Sequence, residues 1–226
     1  MRICVLALSA VLCLPASLMA DTIFSNFGPG NPYSTVAGSD IGGMPGQVQV
    51  LAVPFAPDET AVLSDVEIPL VKLNSSAPSF SLYLASSQSN GEPGALLEQL
   101  TQTAAVGLTS SLIEFTCSAC PQLDEGTTYF VIAVPSTGGN PLDVTDWNKI
   151  PNDPTPFYFN ESGAPSGPWL IDPDGTLALQ VDGGPVTSSS VPEPSGVVLL
   201  ATGFAALAAD LLRRRRTMAG RIADKR

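Results

Sequence analysis

The sequence predicts an all-β body, a two-sheet antiparallel sandwich of jelly-roll-like character, flanked by an apolar segment at each end of the chain. Three observations lead there. Apolar and polar residues alternate with a period of two through much of residues 21–186. Gly, Pro, Asn and Ser break the alternation at short intervals. No stretch of the body repeats at 3.6 residues for long enough to specify an amphipathic helix.

The alternation places strands near 47–56, 61–73, 79–86, 95–103, 111–118, 127–135, 144–149, 156–161, 168–172 and 176–182. Val66, Ile68 and Leu70 share one face, with Asp65, Glu67 and Pro69 on the other, and Phe80, Leu82 and Leu84 repeat the pattern. Glu92-Pro93-Gly94 reads as a turn, and residues 95–103 fit either a strand or one short helix. Thr128 to Val134 is apolar on both faces, which predicts a central strand covered on both sides. Pro151 to Pro156 and Gly163 to Pro168 are loops, and Leu177, Leu179 and Val181 close the body. Many short strands at this spacing suit a sandwich.

Length and charge narrow the function. A chain of 226 residues accommodates one ordinary domain and excludes a large multidomain enzyme. Between Asp21 and Pro194 there are 19 acidic residues against Lys72 and Lys149 alone, a net charge of −17. A body so acidic repels phosphate backbones, so no nucleic-acid partner is expected.

The ends read as addresses. In residues 1–20, Arg2, the apolar run Ile3 to Leu14, Pro15 and a small-residue stretch ending at Ala20 have the order of a secretory signal peptide. A buried N-terminal helix is the alternative. After the body (21–186) comes a polar spacer, 187–190, then Val191-Pro192-Glu193-Pro194, then 18 mostly apolar residues from Ser195 to Leu212. As a helix these span about 27 Å, enough for a bilayer core. Arg213, Arg214, Arg215 and Arg216 follow and hold that end in the cytoplasm, leaving residues 217–226 as a cytoplasmic tail.

The order of motif, single apolar helix and arginine cluster over 191–216 resembles the PEP-CTERM sorting signal of exported bacterial proteins. The resemblance implies recognition by an exosortase, with cleavage near Pro192-Glu193-Pro194, in a Gram-negative organism that makes exopolysaccharide. An ordinary membrane anchor that is never processed explains the helix and arginines but not the Pro-Glu-Pro. Most of residues 45–183 are similar to the choice-of-anchor R domain. The features carrying this are Pro54-Phe55, Ser81-Leu82-Tyr83, Gly91-Glu92-Pro93-Gly94-Ala95-Leu96-Leu97, Gly126-Thr127-Thr128-Tyr129-Phe130, Trp147-Asn148, and Trp169 ahead of Leu177-Ala178-Leu179-Gln180-Val181. That likeness implies a surface-displayed β-sandwich with no assigned activity.

Chemistry-bearing residues are few. With no His, every Ser-His-Asp or Cys-His arrangement is absent, and hydrolysis would fall to a carboxylate pair such as a glycosidase uses. Scattered surface acids are the simpler reading, so no catalytic residue is assigned. Once Cys4 and Cys13 leave with the signal peptide, Cys117-Ser118-Ala119-Cys120 remains. A second Cys pair is missing for zinc, and a local disulfide fits an exported protein. Asp172 and Asp174 in Asp-Pro-Asp-Gly are candidate Ca²⁺ ligands, though the same four residues make a good hairpin turn. Trp147, Tyr158 and Trp169 fall on consecutive late strands and are candidate glycan contacts if they share an exposed face; otherwise they fill the core. The expectation is therefore a non-enzymatic surface or exopolysaccharide-matrix protein, with a carbohydrate-binding module as the alternative.

Overall fold

β-Branched and aromatic residues alternating with polar ones leave the body no helix among the described residues. A computed structural model describes residues 20–28, 30, 32–42, 48–75, 79–136, 144–150, 153, 155–173 and 175–186. The expected signal sequence before Ala20, the spacer, Val191-Pro192-Glu193-Pro194, the apolar helix, Arg213 to Arg216 and Asp174 lie outside them. Among the described residues no helix is long and apolar enough to cross a membrane.

The strands in order are β1 (Asp21–Ser25), β2 (Gly38–Ile41), β3 (Val50–Phe55), β4 (Ala61–Lys72), β5 (Phe80–Ser87), β6 (Pro93–Gln102) and β7 (Ser111–Thr116). Then come β8 (Gln122–Leu123), β9 (Tyr129–Pro135), β10 (Thr145–Asn148), β11 (Phe157–Asn160), β12 (Leu170–Asp172) and β13 (Gln180–Pro185). They form one antiparallel path, β1-β13-β4-β7-β6-β5-β9-β3-β11-β12, with β10, β2 and β8 attached around β4.

β4 organises one half of the path. β13 and then β10 pair along one edge of it, and β8 and β7 along the other. Its pairing with β13 slips between Asp182 and Gly183, passing over Ser64. The extra residue shifts the alternation, so Ala61 and Leu63 share the buried face of Val66, Ile68 and Leu70. β9 organises the other half, between β5 and β3, and its apolar positions are buried on both faces as its composition predicts. β6 joins the halves, pairing with β5 along its length but with β7 only through Thr101 and Gln102. One core cluster draws Val66, Ile68 and Leu70 from β4 together with Leu51, Leu82, Leu84 and Val131 from the β9 half.

Three strands, β1, β2 and β8, are not foreseen in the sequence. Two expectations shift. The hairpin between β5 and β6 turns at Gln88 to Gly91, where Gly91 has φ +83° and its N–H donates to the Gln88 carbonyl at 3.0 Å. Pro93 and Gly94 therefore begin β6 and are not the turn itself. The last strand starts at Gln180 because Asn26 engages the preceding residues. Asn26 Nδ2 donates to the Leu177 carbonyl, and Asn26 Oδ1 accepts from the Leu179 N–H, both at 2.8 Å.

Candidate functional site

The three aromatic residues do not assemble one exposed surface. Trp147 sits on β10 with its side chain in the core, 0% exposed, and its Nε1–H donates to the Ala178 carbonyl at 2.7 Å. Trp169 is 8% exposed and belongs to a second cluster with Val50, Ala52, Phe130 and Ile132, on the opposite face of the β3–β9 ladder from the main core. Tyr158 is half-buried against that cluster, edge-on to Phe130 at 5.4 Å between ring centroids. As a three-residue glycan platform the set is corrected: Trp147 is a core residue, and Tyr158 and Trp169 cover the outside of one ladder. The sequence placed them on consecutive strands, but only the register decides which face each takes.

Cys117 and Cys120 are joined in a disulfide with their Cα atoms 5.1 Å apart. The turn they close grips a residue that the sequence did not single out. Glu98 on β6 accepts from Ser118 N–H, Ser118 Oγ–H and Ala119 N–H at 3.0–3.1 Å. The Ala119 amide foremost, then Ser118, holds the Glu98 carboxyl below its usual range.

Asp172 ends β12 with its Oδ2 3.6 Å from Lys149 Nζ, and that ammonium also lies 5.1 Å from the Phe157 ring centroid. A cation of the chain therefore already stands beside the one candidate calcium ligand that is described. Among the described residues no group of three Cys, Asp or Glu is arranged to hold a metal ion.

Six other acids meet in pairs on neighbouring strands. Asp65 stands opposite Asp182, and Glu67 opposite Glu114, on the face of β4 away from the core. Burial first and the neighbouring carboxylates second raise Asp65 and Glu67 above the usual carboxylate range. Asp146 on β10 stands opposite Asp40 on β2. It is pushed up to about 7, by burial first and then by a hydrogen bond with Asp40 and that carboxylate's charge. Its Oδ1 is buried without a hydrogen-bond partner. These acids adjoin one another across neighbouring strands.

Among the described residues, a concave site of about 360 Å³ is lined by Phe24, Asn26, Pro54, Phe55, Ala56, Thr128, Asp153, Thr155 and Thr176. It was not legible in the sequence, because its lining comes from five separate stretches of chain. Phe24 and Phe55 pack at 5.7 Å between centroids. The Asn26 bonds to Leu177 and Leu179 fix the wall that carries Thr176. Asp153 Oδ1 accepts the Thr155 N–H at 2.8 Å, which fixes that part of the lining. A smaller cavity of about 140 Å³ touches Lys72, Ser79, Gln102 and Thr145, whose buried hydroxyl has no partner. Phe80, Ala105 and Val106 complete its lining.

Neither protein-family models nor curated proteins include a match to this chain.

Proposed function

We propose that the chain is the precursor of an exported structural and interaction protein of the bacterial surface or exopolysaccharide matrix. An exosortase sorts and cleaves it at Val191-Pro192-Glu193-Pro194, and the protein has no catalytic role. Its body is a two-layer, jelly-roll-like antiparallel sandwich. That body stands in the periplasm while Ser195 to Leu212 cross the inner membrane with Arg213 to Arg216 on the cytoplasmic side.

The observation that carries this reading is the disulfide on an exposed turn, in a chain whose ends read as an export signal and a sorting signal. An accessible disulfide persists in the periplasm or outside the cell and is reduced in the cytosol. The surface acids add support, since a body of high net charge stays soluble and unassociated after release. Replacing Arg213 to Arg216 with Gln removes the charge bias that orients the helix. Added protease should then reach a C-terminal tag in intact spheroplasts, and processing should fall; a tag as protected and a chain as well processed as in the parent would contradict the topology.

A further inference from the structure

We propose that the cavity between Phe24, Pro54, Thr155 and Thr176 is a binding site for a neutral sugar residue. The proposal deepens the reading above, since it names what a surface protein of this kind would hold. It rests on the chemistry of the lining.

Phe24 and Pro54 are half-buried, so each keeps apolar surface turned to the cavity. An apolar ring face is what the C–H side of a pyranose packs against. Thr128, Thr155, Thr176 and Asp153 line the same cavity. Thr176 is only 1% exposed, and among the described residues its Oγ–H donates to the Leu177 carbonyl at 3.5 Å. A hydroxyl that donates in this way still has acceptor lone pairs on its oxygen, which a ligand hydroxyl can engage.

Three ligand classes are disfavoured by the same lining. It holds no Lys or Arg and carries the Asp153 charge within a body of strongly negative charge, which repels phosphates, sulfates and carboxylates. A hydrocarbon would leave Asp153 and the threonines desolvated without partners. A flat planar ring would meet the apolar wall but offer too few hydroxyls to the rim. A polyol with one apolar face satisfies both. The volume of about 360 Å³ stands at the lower end of small-ligand sites, so the occupant is a single residue or a short end of a glycan.

The site is also preorganised. Asn26 is bonded through both ends of its amide, Asp153 is held by the Thr155 N–H, and Gly175, next to Thr176, stands beside the Asp153 backbone. Gly175 has φ +119°, and a side chain there would begin 3.3 Å from the Asp153 carbonyl.

The test titrates the full chain, expressed with its export signal and purified after processing, with the methyl glycosides of glucose, galactose and mannose, and with glucuronate as the anionic control. Nuclear magnetic resonance reads shifts at Phe24, Phe55 and Thr176. At least one neutral glycoside should give saturable shifts there, glucuronate should give none, and Thr155→Ala and Asp153→Asn should each weaken binding by roughly tenfold, the loss of one ligand hydrogen bond. Thr155 is exposed, so its variant keeps the fold, and unchanged core resonances verify that. No shift with any neutral glycoside, tighter binding of glucuronate, or binding indifferent to both variants would overturn the proposal. The masses of the processed chain in the same preparation report on export and sorting independently, so the sugar site can fail while the surface reading stands.

Discussion

Trp147 shows how one residue decides between two functions. On sequence it is a surface aromatic or a core aromatic; its bond to the Ala178 carbonyl and its complete burial make it part of the core. Trp147→Ala should destabilise the body by about 3–5 kcal/mol. Trp147→Phe, which removes chiefly the donor to Ala178, should cost about 1–3 kcal/mol. Urea unfolding followed by fluorescence or circular dichroism measures both; a Trp147→Ala variant as stable as the parent would contradict the burial. Gly183 is decided in the same way. A Cβ there would lie 2.8 Å from the Ala61 Cβ and 3.0 Å from Ile23 Cδ1, so Gly183→Ala should cost about 1–3 kcal/mol in the same measurement.

Asp146 gives the body an unusual response to pH. Burial and the neighbouring Asp40 push its folded carboxyl up to about 7 from an ordinary 3.8, so between those values the folded chain holds a proton that the unfolded chain has released. Its contribution is complete below pH 3.8 and is lost as pH rises through about 7. Asp65 and Glu67, also raised, act in the same direction, while the exposed Glu98, lowered, acts in the opposite one. Stability should therefore fall from about pH 4 to pH 7, and Asp146→Asn should flatten that fall. Urea midpoints across the range test this; a rise over the window with the same slope in the variant would contradict it.

At the scale of elements, the turn closed by Cys117 and Cys120 is a local clasp. Its loop is so short that removing the bond costs at most about 2 kcal/mol in the chain-entropy account. Cys117→Ser with Cys120→Ser should lower the melting temperature modestly and keep the fold, while the Ser118 and Ala119 amides become less protected from exchange as their hold on Glu98 loosens. Loss of all cooperative unfolding in the double variant would contradict a local role.

Strands long enough to alternate were legible. The patterns at Val66, Ile68 and Leu70 and at Leu82 and Leu84 place β4 and β5, and the apolar run through Val131 places β9. The strands that escaped are those with little pattern to read. β8 has two residues, β2 is Gly-Ser-Asp-Ile, and β1 buries only Ile23 deeply. Such segments become strands because a neighbouring strand offers an unpaired edge, a tertiary effect that local sequence does not record.

At the scale of the whole molecule, the all-β character follows from composition and period, and the site does not. Phe24, Asp153 and Thr176 lie far apart in sequence and meet only because β1, β3 and the chain before β13 end in the same region, where Asn26 ties two of them together. Trp147 and Trp169, close in sequence, end on different faces of the fold because strand register separates them. The uneven charge was legible outright. The arginine cluster at 213–216 beside an apolar stretch is the part of that pattern on which the proposed topology rests.

That reading is tested most directly by the intact mass of the protein recovered from cells that carry an exosortase and from cells that lack it. The account predicts a chain that begins near Asp21, ends near Pro194 and is two hydrogens lighter than its sequence because Cys117 and Cys120 are bonded; without the exosortase, the C-terminal segment should remain attached and membrane-bound. A full-length chain, beginning at Met1, ending at Arg226 and found in the cytoplasm of both strains, would contradict it.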